Sequence, residues 1–348
     1  MNVIDMGVGD PVIPTDKTII KGLDMGLGMD EAFRYPSYNG ERFYREAVHE
    51  YLSNRFNVEL DVDSEITLLI GSKEGIAHLP FALLDPGDKA AYTEPGYPVY
   101  RSAIAFAGGE PLSIPLRPEN GFVPDLDDIP AGIKLLFINY PNNPTSARVD
   151  KEWLTNLVHH AREHGYIIAN DAAYVEIYEN DPPPSILEID GAMDCVVEFH
   201  SLSKPFAMTG WRLAFAAGNP DVIRYLGIVK KQIDSGQFKP MQRAGAAALR
   251  SPEIIENVRN IYRKRKSTFR AALEASPFFR SVHPSDATLY LWADIGGNSA
   301  EFAARLLREK GIVCLPGVFT GPSGEGFVRF SMTLPDEDVE RAVARLRE

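Results

Sequence analysis

Short apolar runs alternate with longer amphipathic stretches between residues 64 and 218, and this rhythm limits the possible folds more than any other feature. The runs are ITLLI (66–70), KAAY (89–92), KLLFIN (134–139), YIIAN (166–170), CVVEF (195–199) and RLAFAAG (212–218). Such short continuous runs are typical of strands that helices cover on both faces. The rhythm predicts an α/β fold: a three-layer α/β/α unit around a mostly parallel sheet.

The segment between KLLFIN and YIIAN shows the helical half of this rhythm. In DKEWLTNLVHHAREHG (150–165), the apolar residues from Trp153 to Ala161 recur at helical spacing, and Gly165 supplies a C-terminal stop. A helix here carries the chain from one strand to the next as a right-handed crossover.

The C-terminal third has a different pattern. A long charged helix over 252–275 precedes the strand TLYLWADI, the helix SAEFAARLLREKG, the strands IVCLPG and GFVRFSM, and a last helix PDEDVERAVARLRE. This order is typical of an α+β unit, and the opening VIDMGVG does not start a βαβ unit. We therefore expect a large cofactor-binding domain over 31–245 and a smaller α+β domain built from 1–30 and 246–348.

Composition narrows the range of partners. The 348 residues carry a formal net charge of −12, and the RKRK run at 263–266 is interpreted as a solvated helix face. Nucleic acid and anionic membranes both require clustered Lys and Arg, so neither is an expected partner. The N-terminus lacks the basic-then-apolar pattern of a signal peptide, and no run of some twenty apolar residues occurs, so a cytoplasmic location is expected.

The residues that could bind a metal or form a disulfide do not form a recognisable motif. Cys195 and Cys314 each lie in an apolar run and are expected to be buried thiols. His160 and His164 lie four apart on a helix, but no Glu follows His160 as the HExxH motif requires. No metal site is predicted.

Polar residues follow three consecutive strands, in the place where open parallel sheets bind ligands. Asn143 follows KLLFIN, Asp171 and Tyr174 follow YIIAN, and Lys204 follows CVVEF. Because each belongs to the next βα unit, these side chains are expected to face one crevice.

This set of side chains suits pyridoxal phosphate. A Lys amine can bind the aldehyde, a carboxylate can keep the pyridine nitrogen protonated, and Asn and Tyr can hydrogen-bond the phenolic oxygen. Ser201, Ser203 and Arg212 flank Lys204 and offer donors to a phosphate, as does the helix start at GSKEG. Neither GxxxxGK[ST] nor GxGxxG occurs at that turn, which disfavours a nucleotide cofactor.

The order of the motifs resembles the fold-type I pyridoxal-phosphate aminotransferases of the aspartate aminotransferase superfamily. The resemblance runs through GVGDP, RYPSYNG, GSKEG, EPGYPVY, YPNNPT, DAAY, SLSKPFAMTGWR, DSGQF and FVRFS, which together span nearly the whole chain. It implies a two-step transfer of an amino group from an L-amino acid to a 2-oxo acid. Within the superfamily, the motifs are most similar to the LL-diaminopimelate aminotransferase branch, so the implied donor is LL-diaminopimelate or an aspartate- or glutamate-like amino acid in amino-acid biosynthesis.

The resemblance also implies a role for each site residue. Lys204 becomes the Schiff-base lysine that moves a proton, Asp171 the partner of the pyridinium nitrogen, and Asn143 and Tyr174 the pair on the phenolic oxygen. The remaining implied roles are ring stacking by Tyr97, phosphate binding by Ser72, Lys73, Ser201, Ser203 and Arg212, and substrate-carboxylate binding by Arg329 with Asn143 and the backbone of Gly9. In a homodimer with active sites at the subunit interface, Tyr35 and Ser235 would reach the phosphate of the neighbouring subunit.

The sequence departs from the family pattern at two places. The family's arm of some thirty residues before GxGDP is missing, which puts the usual dimer contacts in doubt, and Ser146 replaces the glycine of PNNPTG.

The main alternative function is a pyridoxal-phosphate-dependent C–S lyase acting by β-elimination, since the same carbanion can expel a leaving group. A non-catalytic cofactor-binding regulator is more remote, because this acidic chain lacks a basic DNA-binding segment.

Overall fold

A central seven-stranded sheet organises the computed structural model, which describes residues 2–284 and 286–348. The strand order is β2-β8-β7-β6-β5-β3-β4, and β8 runs antiparallel to both of its neighbours while the other pairs are parallel. The strands are β2 (Ile66–Leu69), β3 (Lys89–Glu94), β4 (Glu110–Pro115), β5 (Ile133–Ile138), β6 (Ile167–Asp171), β7 (Val196–Ser201) and β8 (Ala214–Gly218). The predicted mostly parallel sheet is confirmed, with β4 as an edge strand that the apolar-run pattern did not predict.

Helices cover both faces of this sheet. They are α1 (Lys17–Leu27), α2 (Arg42–Phe56), α3 (Ser72–Leu83), α4 (Val99–Phe106), α5 (Lys151–His164), α6 (Ala192–Cys195), α7 (Pro220–Ile233) and α8 (Lys239–Leu249). One apolar core joins α2, α5 and α8 to the sheet, and a second joins α3, α4 and α7 to its other face. The three-layer α/β/α arrangement follows, because strands apolar on both sides need two helical layers.

The C-terminal end of α5 lies at Gly165, as the sequence predicts, and a capping residue precedes the helix. Asp150 caps the helix by accepting a hydrogen bond from the backbone N–H of Trp153 at 2.8 Å. Gly165 ends it with a φ of 73°, a left-handed conformation that glycine adopts without strain.

The smaller unit is an antiparallel sheet packed on helices. Its strands lie in the order β12-β13-β10-β9, and β1 pairs in parallel with β11 beside them. The elements are β1 (Ile4–Asp5), α9 (Pro252–Ala275), β9 (Ser281–Val282), β10 (Tyr290–Asp294), α10 (Ser299–Lys310), β11 (Ile312–Val313), β12 (Leu315–Pro316), β13 (Phe327–Ser331) and α11 (Asp336–Arg347). Short 3-10 helices occupy Pro118–Asn120, Leu126–Asp128, Ile186–Glu188, Gly317–Thr320 and Pro322–Gly324.

The chain's N-terminal segment contacts both units. Ile4 and Met6 are buried in the apolar core of the smaller unit, whereas α1 packs against α8 and places Ile19 in a core of the large sheet. The domain boundaries at residues 30 and 245 stay a prediction, and the contacts of α1 associate it with the larger unit. None of the helices among the described residues combines the length and apolar character needed to cross a bilayer.

Candidate active site

The carboxyl ends of β5, β6 and β7 meet at one cleft of about 530 Å³. These strands are neighbours in the sheet, so the residues that follow them lie side by side. Twelve of the residues singled out from the sequence line this cleft: Gly9, Ser72, Lys73, Tyr97, Asn143, Asp171, Tyr174, Ser201, Ser203, Lys204, Arg212 and Arg329. Tyr35 and Ser235 do not line it, and both are exposed elsewhere on the surface.

Asp171 ends β6 as a buried carboxyl group. The Tyr100 hydroxyl donates a hydrogen bond to its Oδ2 at 2.8 Å, and the backbone N–H of Ala173 lies 3.4 Å from its Oδ1. Burial raises the pKa of Asp171 to about 6, and the Tyr100 hydrogen bond opposes that rise. A buried carboxyl held by neutral donors suits a cationic partner such as a protonated pyridine nitrogen.

Lys204 follows β7 and lies mostly inside the cleft. Its Nζ donates a hydrogen bond to the carbonyl oxygen of Gly9. Burial lowers the pKa of Lys204 from its ordinary value, while Tyr290 and Asp10 act in the opposite direction. A lowered pKa makes more of the neutral amine available, and the neutral amine is the form that attacks an aldehyde.

The start of α3 offers an anion site. Gly71 precedes the helix with a φ of +77°, and a Cβ there would lie 2.2 Å from Nη2 of Arg212, so glycine meets both the backbone and the space requirement. The first N–H groups of a helix lack intrahelical partners and favour negative charge. The one acidic residue in the first turn, Glu74, is engaged by the Ile70 N–H and by Lys230, each at 3.0 Å. Glu74 is therefore not a free carboxylate at this helix start, where Arg212 offers donors to a phosphate.

Tyr97 and Lys73 face one another at the cleft. The Lys73 Nζ lies 5.6 Å from the centroid of the Tyr97 ring, and the ring makes an edge contact with Tyr100 at 5.8 Å. The half-buried Tyr97 ring therefore presents a flat apolar surface to the cleft, as a stacking partner must.

Arg329 is a buried cation with donor capacity left over. Its Nη1 donates to Oδ1 of Asn143 and its Nη2 to the carbonyl oxygen of Gly7, each at 2.7 Å. Its Nε is buried and has no hydrogen-bond partner among the described residues. A guanidinium with an unpaired buried donor suits a carboxylate, which accepts forked hydrogen bonds from arginine.

Tyr174 and Tyr290 form a pair of buried phenols. Their hydroxyl oxygens lie 2.9 Å apart, and their rings meet nearly edge to face with centroids at 5.5 Å. Burial raises the pKa of Tyr174 well above its usual value, while Arg329 opposes this rise. Tyr174 consequently stays a neutral phenol that can donate a proton in a hydrogen bond.

Among the residues that the sequence analysis missed are Asn139 and Tyr290, which line the cleft, and Tyr100, which bonds Asp171. Asn139 ties two strand ends together, since its Nδ2 donates to the Asp171 carbonyl at 2.5 Å and its Oδ1 accepts from the Asn143 N–H at 2.7 Å. Signals for all three were present. Tyr100 lies three residues after Tyr97, Asn139 ends the KLLFIN run, and Tyr290 alternates with Trp292 in TLYLWADI.

Ser146 keeps the turn that a glycine would make. Its φ is +65°, in the left-handed region, and its hydroxyl donates to the Tyr290 carbonyl oxygen at 3.1 Å. A second hydrogen bond joins it to the Thr288 hydroxyl. The serine therefore connects the loop after β5 with the start of β10, a contact that glycine cannot make.

The donor set fits the predicted pyridoxal phosphate at each of its polar groups. The cleft offers an amine for the aldehyde, a carboxyl for the ring nitrogen, a phenol and an amide for the phenolic oxygen, and a helix start with Arg212 for the phosphate. Arg329, whose Nε has no hydrogen-bond partner in the part of the chain that the structure describes, lines the same cleft.

Comparison with known proteins gives consistent matches along the whole chain. The family model "Aminotransferase class I and II" matches residues 1–346. The LL-diaminopimelate aminotransferase of Aquifex aeolicus is 48% identical over 355 residues, covering 100% of this chain and 91% of that protein.

Two solved aminotransferase structures are similar to this chain along almost its whole length. An aminotransferase from Staphylococcus aureus superposes with a TM-score of 0.95 at 30% identity, covering 99% of this chain and 93% of the other. A probable N-succinyldiaminopimelate aminotransferase from Thermus thermophilus gives a TM-score of 0.93 at 34% identity, with 99% and 94% covered.

Proposed function

The chain belongs to the aminotransferase class I and II family, whose reaction is pyridoxal-phosphate-dependent amino-group transfer, and from this premise we propose that its amino donor is LL-diaminopimelate. The observation that carries the donor proposal is the 48% identity to a protein named LL-diaminopimelate aminotransferase, over the whole of this chain. The acceptor is a 2-oxo acid, as the reaction class requires.

We propose these roles for the chain's own residues. Bound pyridoxal phosphate supplies an aldehyde that combines with amines and a ring that takes up electrons from the substrate Cα. Lys204 would hold the aldehyde carbon until the amine of the substrate displaces it, and the freed Lys204 amine would then move a proton between the substrate Cα and C4′ of the cofactor. Asp171 keeps the ring nitrogen protonated, and Tyr174 and Asn143 hydrogen-bond the phenolic oxygen.

The other proposed contacts fix the two ends of the ligands. Tyr97 stacks on the ring, and Arg329 binds the substrate α-carboxylate with Asn143 and the backbone of Gly9. The phosphate is held by the start of α3 and by hydroxyl, ammonium and guanidinium groups: Ser72, Lys73, Ser201, Ser203 and Arg212. Support for this set comes from the shared cleft and from the unpaired donor of Arg329.

A donor panel tests the reaction. Purified enzyme loaded with pyridoxal phosphate is mixed with LL-diaminopimelate, glutamate, aspartate or an aromatic amino acid, and conversion of the cofactor from aldehyde to amine form is followed by absorbance. The expected result is the highest kcat/KM for LL-diaminopimelate. Reaction with another donor but not with LL-diaminopimelate would refute the donor, and pyruvate and ammonia formed from cystathionine without a 2-oxo acid would favour the C–S lyase.

We also propose a homodimer in which Tyr35 and Ser235 reach the partner's phosphate. Support comes from large apolar side chains exposed on two adjoining segments, where the Phe33 and Phe238 ring centroids lie 6.1 Å apart. Tyr35 is 86% exposed, and Ile233 is 57% exposed beside Ser235. Contiguous exposed apolar surface is typical of an interaction site.

Subunit mixing tests the dimer. Lys204→Ala and Tyr35→Ala enzymes are each expected to be impaired, and hybrids of the two should regain activity because one of their sites is intact. Light scattering on the unmixed enzyme supplies the mass. A monomer by light scattering, or hybrids as impaired as their parents, would contradict the shared site.

A cytoplasmic location is the last part of the proposal. Cys195 and Cys314 are both buried and free, which suits a reducing compartment. Cell fractionation followed by an aminotransferase assay would test this, with activity expected in the cytoplasmic fraction.

A further inference from the structure

Tyr290 is a cleft residue to which the proposed reaction assigns no role. It begins β10 in the smaller unit and is 2% exposed. Its hydroxyl forms a hydrogen bond with the Tyr174 hydroxyl at 2.9 Å, and its ring lies 4.1 Å from the guanidinium carbon of Arg329. A single side chain thus contacts both the phenol proposed for the cofactor and the cation proposed for the substrate.

The backbone around Tyr290 is shaped to bring its hydroxyl into the cleft. A Cβ on Gly9 would lie 2.4 Å from the Tyr290 hydroxyl oxygen, so only glycine at that position leaves room for the hydroxyl. On the other side, Ser146 donates a hydrogen bond to the Tyr290 carbonyl, and Thr288 accepts one from its N–H at 3.0 Å. These hydrogen bonds fix the backbone of Tyr290, and Gly9 leaves the space that its hydroxyl occupies.

The direction of the hydrogen bond between the two phenols determines whether the Tyr174 hydroxyl can also donate to a ligand in the cleft. Among the described residues, each hydroxyl forms its one hydrogen bond with the other, and each phenol carries a single proton. If Tyr290 donates, the Tyr174 proton stays available for an acceptor in the cleft. If Tyr174 donates, that proton is used within the pair.

We propose that Tyr290 is a positioning residue: it donates to the Tyr174 hydroxyl, which directs the Tyr174 proton at the cofactor's phenolic oxygen, and its ring supports Arg329. The inference rests on the roles proposed above for Tyr174 and Arg329. The titratable groups that act on this pair are Arg329, Asp171, Lys204, Tyr100 and Tyr262.

The pH titration of the cofactor's visible absorption band tests the donor direction. In the loaded enzyme, a phenolic oxygen that accepts a hydrogen bond from the Tyr174 hydroxyl is stabilised as the anion, which favours the deprotonated cofactor. Tyr290→Phe removes the hydroxyl and keeps the ring. It should raise the midpoint of the titration by roughly 0.1–0.3 unit, because Tyr174 keeps its own hydrogen bond to the phenolic oxygen and loses only the donor that strengthens that bond.

Two further variants make this shift specific. Tyr174→Phe should raise the midpoint at least as far, and adding Tyr290→Phe to it should cause no further rise, because Tyr290 acts through Tyr174. Tyr44→Phe is the matched control: it removes the hydroxyl of a buried tyrosine in α2 that bonds the Ala214 carbonyl oxygen and not this pair, and it should leave the midpoint unchanged.

Comparison of the KM for the amino donor in two variants tests the role of the Tyr290 ring. Tyr290→Phe keeps the aromatic face under Arg329 and should leave the KM for the amino donor near that of the parent enzyme. Tyr290→Leu removes the face and should raise this KM several-fold, as the loss of a cation–π contact predicts.

Defined outcomes would overturn the proposal. An unchanged or lowered midpoint in Tyr290→Phe, with a raised midpoint in Tyr174→Phe, would show that Tyr290 does not donate. An unchanged midpoint in both variants would also remove Tyr174 from the phenolic oxygen. Neither result touches amino-group transfer from LL-diaminopimelate, which the donor panel measures separately.

Discussion

Ser146 provides a test in which backbone strain and hydrogen bonding act in opposite directions. The residue is 1% exposed, has a φ of +65°, and bonds through its hydroxyl to Thr288 and to the carbonyl of Tyr290. Ser146→Ala removes the hydroxyl and keeps the left-handed backbone. Ser146→Gly removes the hydroxyl and also relieves the backbone.

The sizes of the lost hydrogen bonding and of the relieved backbone strain determine the order of stability of the two variants. Leaving a buried carbonyl and hydroxyl without this partner costs about 1–3 kcal/mol. The left-handed conformation costs a residue with a Cβ roughly 1–2 kcal/mol relative to glycine. Glycine recovers part of the loss, so Ser146→Ala should lower the free energy of unfolding most, and Ser146→Gly about 1 kcal/mol less.

Urea unfolding of the cofactor-loaded proteins, followed by circular dichroism at equal cofactor concentration, measures this order. Ser267→Ala is the control, since Ser267 is exposed on α9 and a surface change of this kind stays within about 0.5 kcal/mol. If Ser146→Ala is as stable as the parent, the cross-connection to β10 contributes nothing. If the glycine variant is the less stable of the two, the assumed relief of backbone strain is wrong.

Three further predictions concern the predicted catalytic groups. Lys204→Ala should abolish turnover and keep the circular dichroism spectrum of the parent, and normal transamination by this variant without added amine would defeat the assignment. In the cofactor-free protein, Asp171 holds its proton more tightly when folded, because its pKa of about 6 lies above the ordinary 3.8; the free energy of unfolding should therefore fall by about 2 kcal/mol as the pH rises from 4 to 6. Asp171→Asn should lack this fall in a urea series across the same pH range. Tyr100→Phe removes the hydrogen bond that lowers the Asp171 pKa, so the free energy of unfolding should continue to fall to a higher pH than in the parent protein. If the fall ends at the same pH in both proteins, this bond has no effect on the Asp171 pKa.

The central sheet could be predicted because its strands are apolar on both faces. β5, β6 and β7 lie within or next to the predicted runs KLLFIN, YIIAN and CVVEF, and their burial leaves few polar side chains until each strand ends. The predicted three-layer fold is confirmed for this reason. Polar residues at buried strand ends stand out against an apolar background, and Asn143, Asp171 and Lys204 all fall in that position.

Other elements carried weaker signals. β4 contains Pro111 and Pro115, lies at the edge of the sheet and is largely not buried, so it lacks the apolar run that marks the central strands. Residues 1–30, which contain α1, are predicted within the smaller domain because the opening of the chain does not start a βαβ unit. The packing of α1 on α8, more than two hundred residues later in the chain, depends on a contact that periodicity does not encode.

The two unpredicted tyrosines that bond Asp171 and Tyr174 show why a site is harder to predict than the sheet that carries it. Tyr100 reaches Asp171 across 71 positions in the chain, and Tyr290 reaches Tyr174 across 116. A pattern of period 2 or 3.6 tells which face a residue occupies but not which residue lies opposite. Asp171 and Tyr174 could be identified by the chemistry they offer, whereas their hydroxyl partners depend on how α4 and β10 pack against β6. Because those partners act on the charge of one and the proton of the other, tertiary packing rather than the motif itself determines the electrostatics of this site.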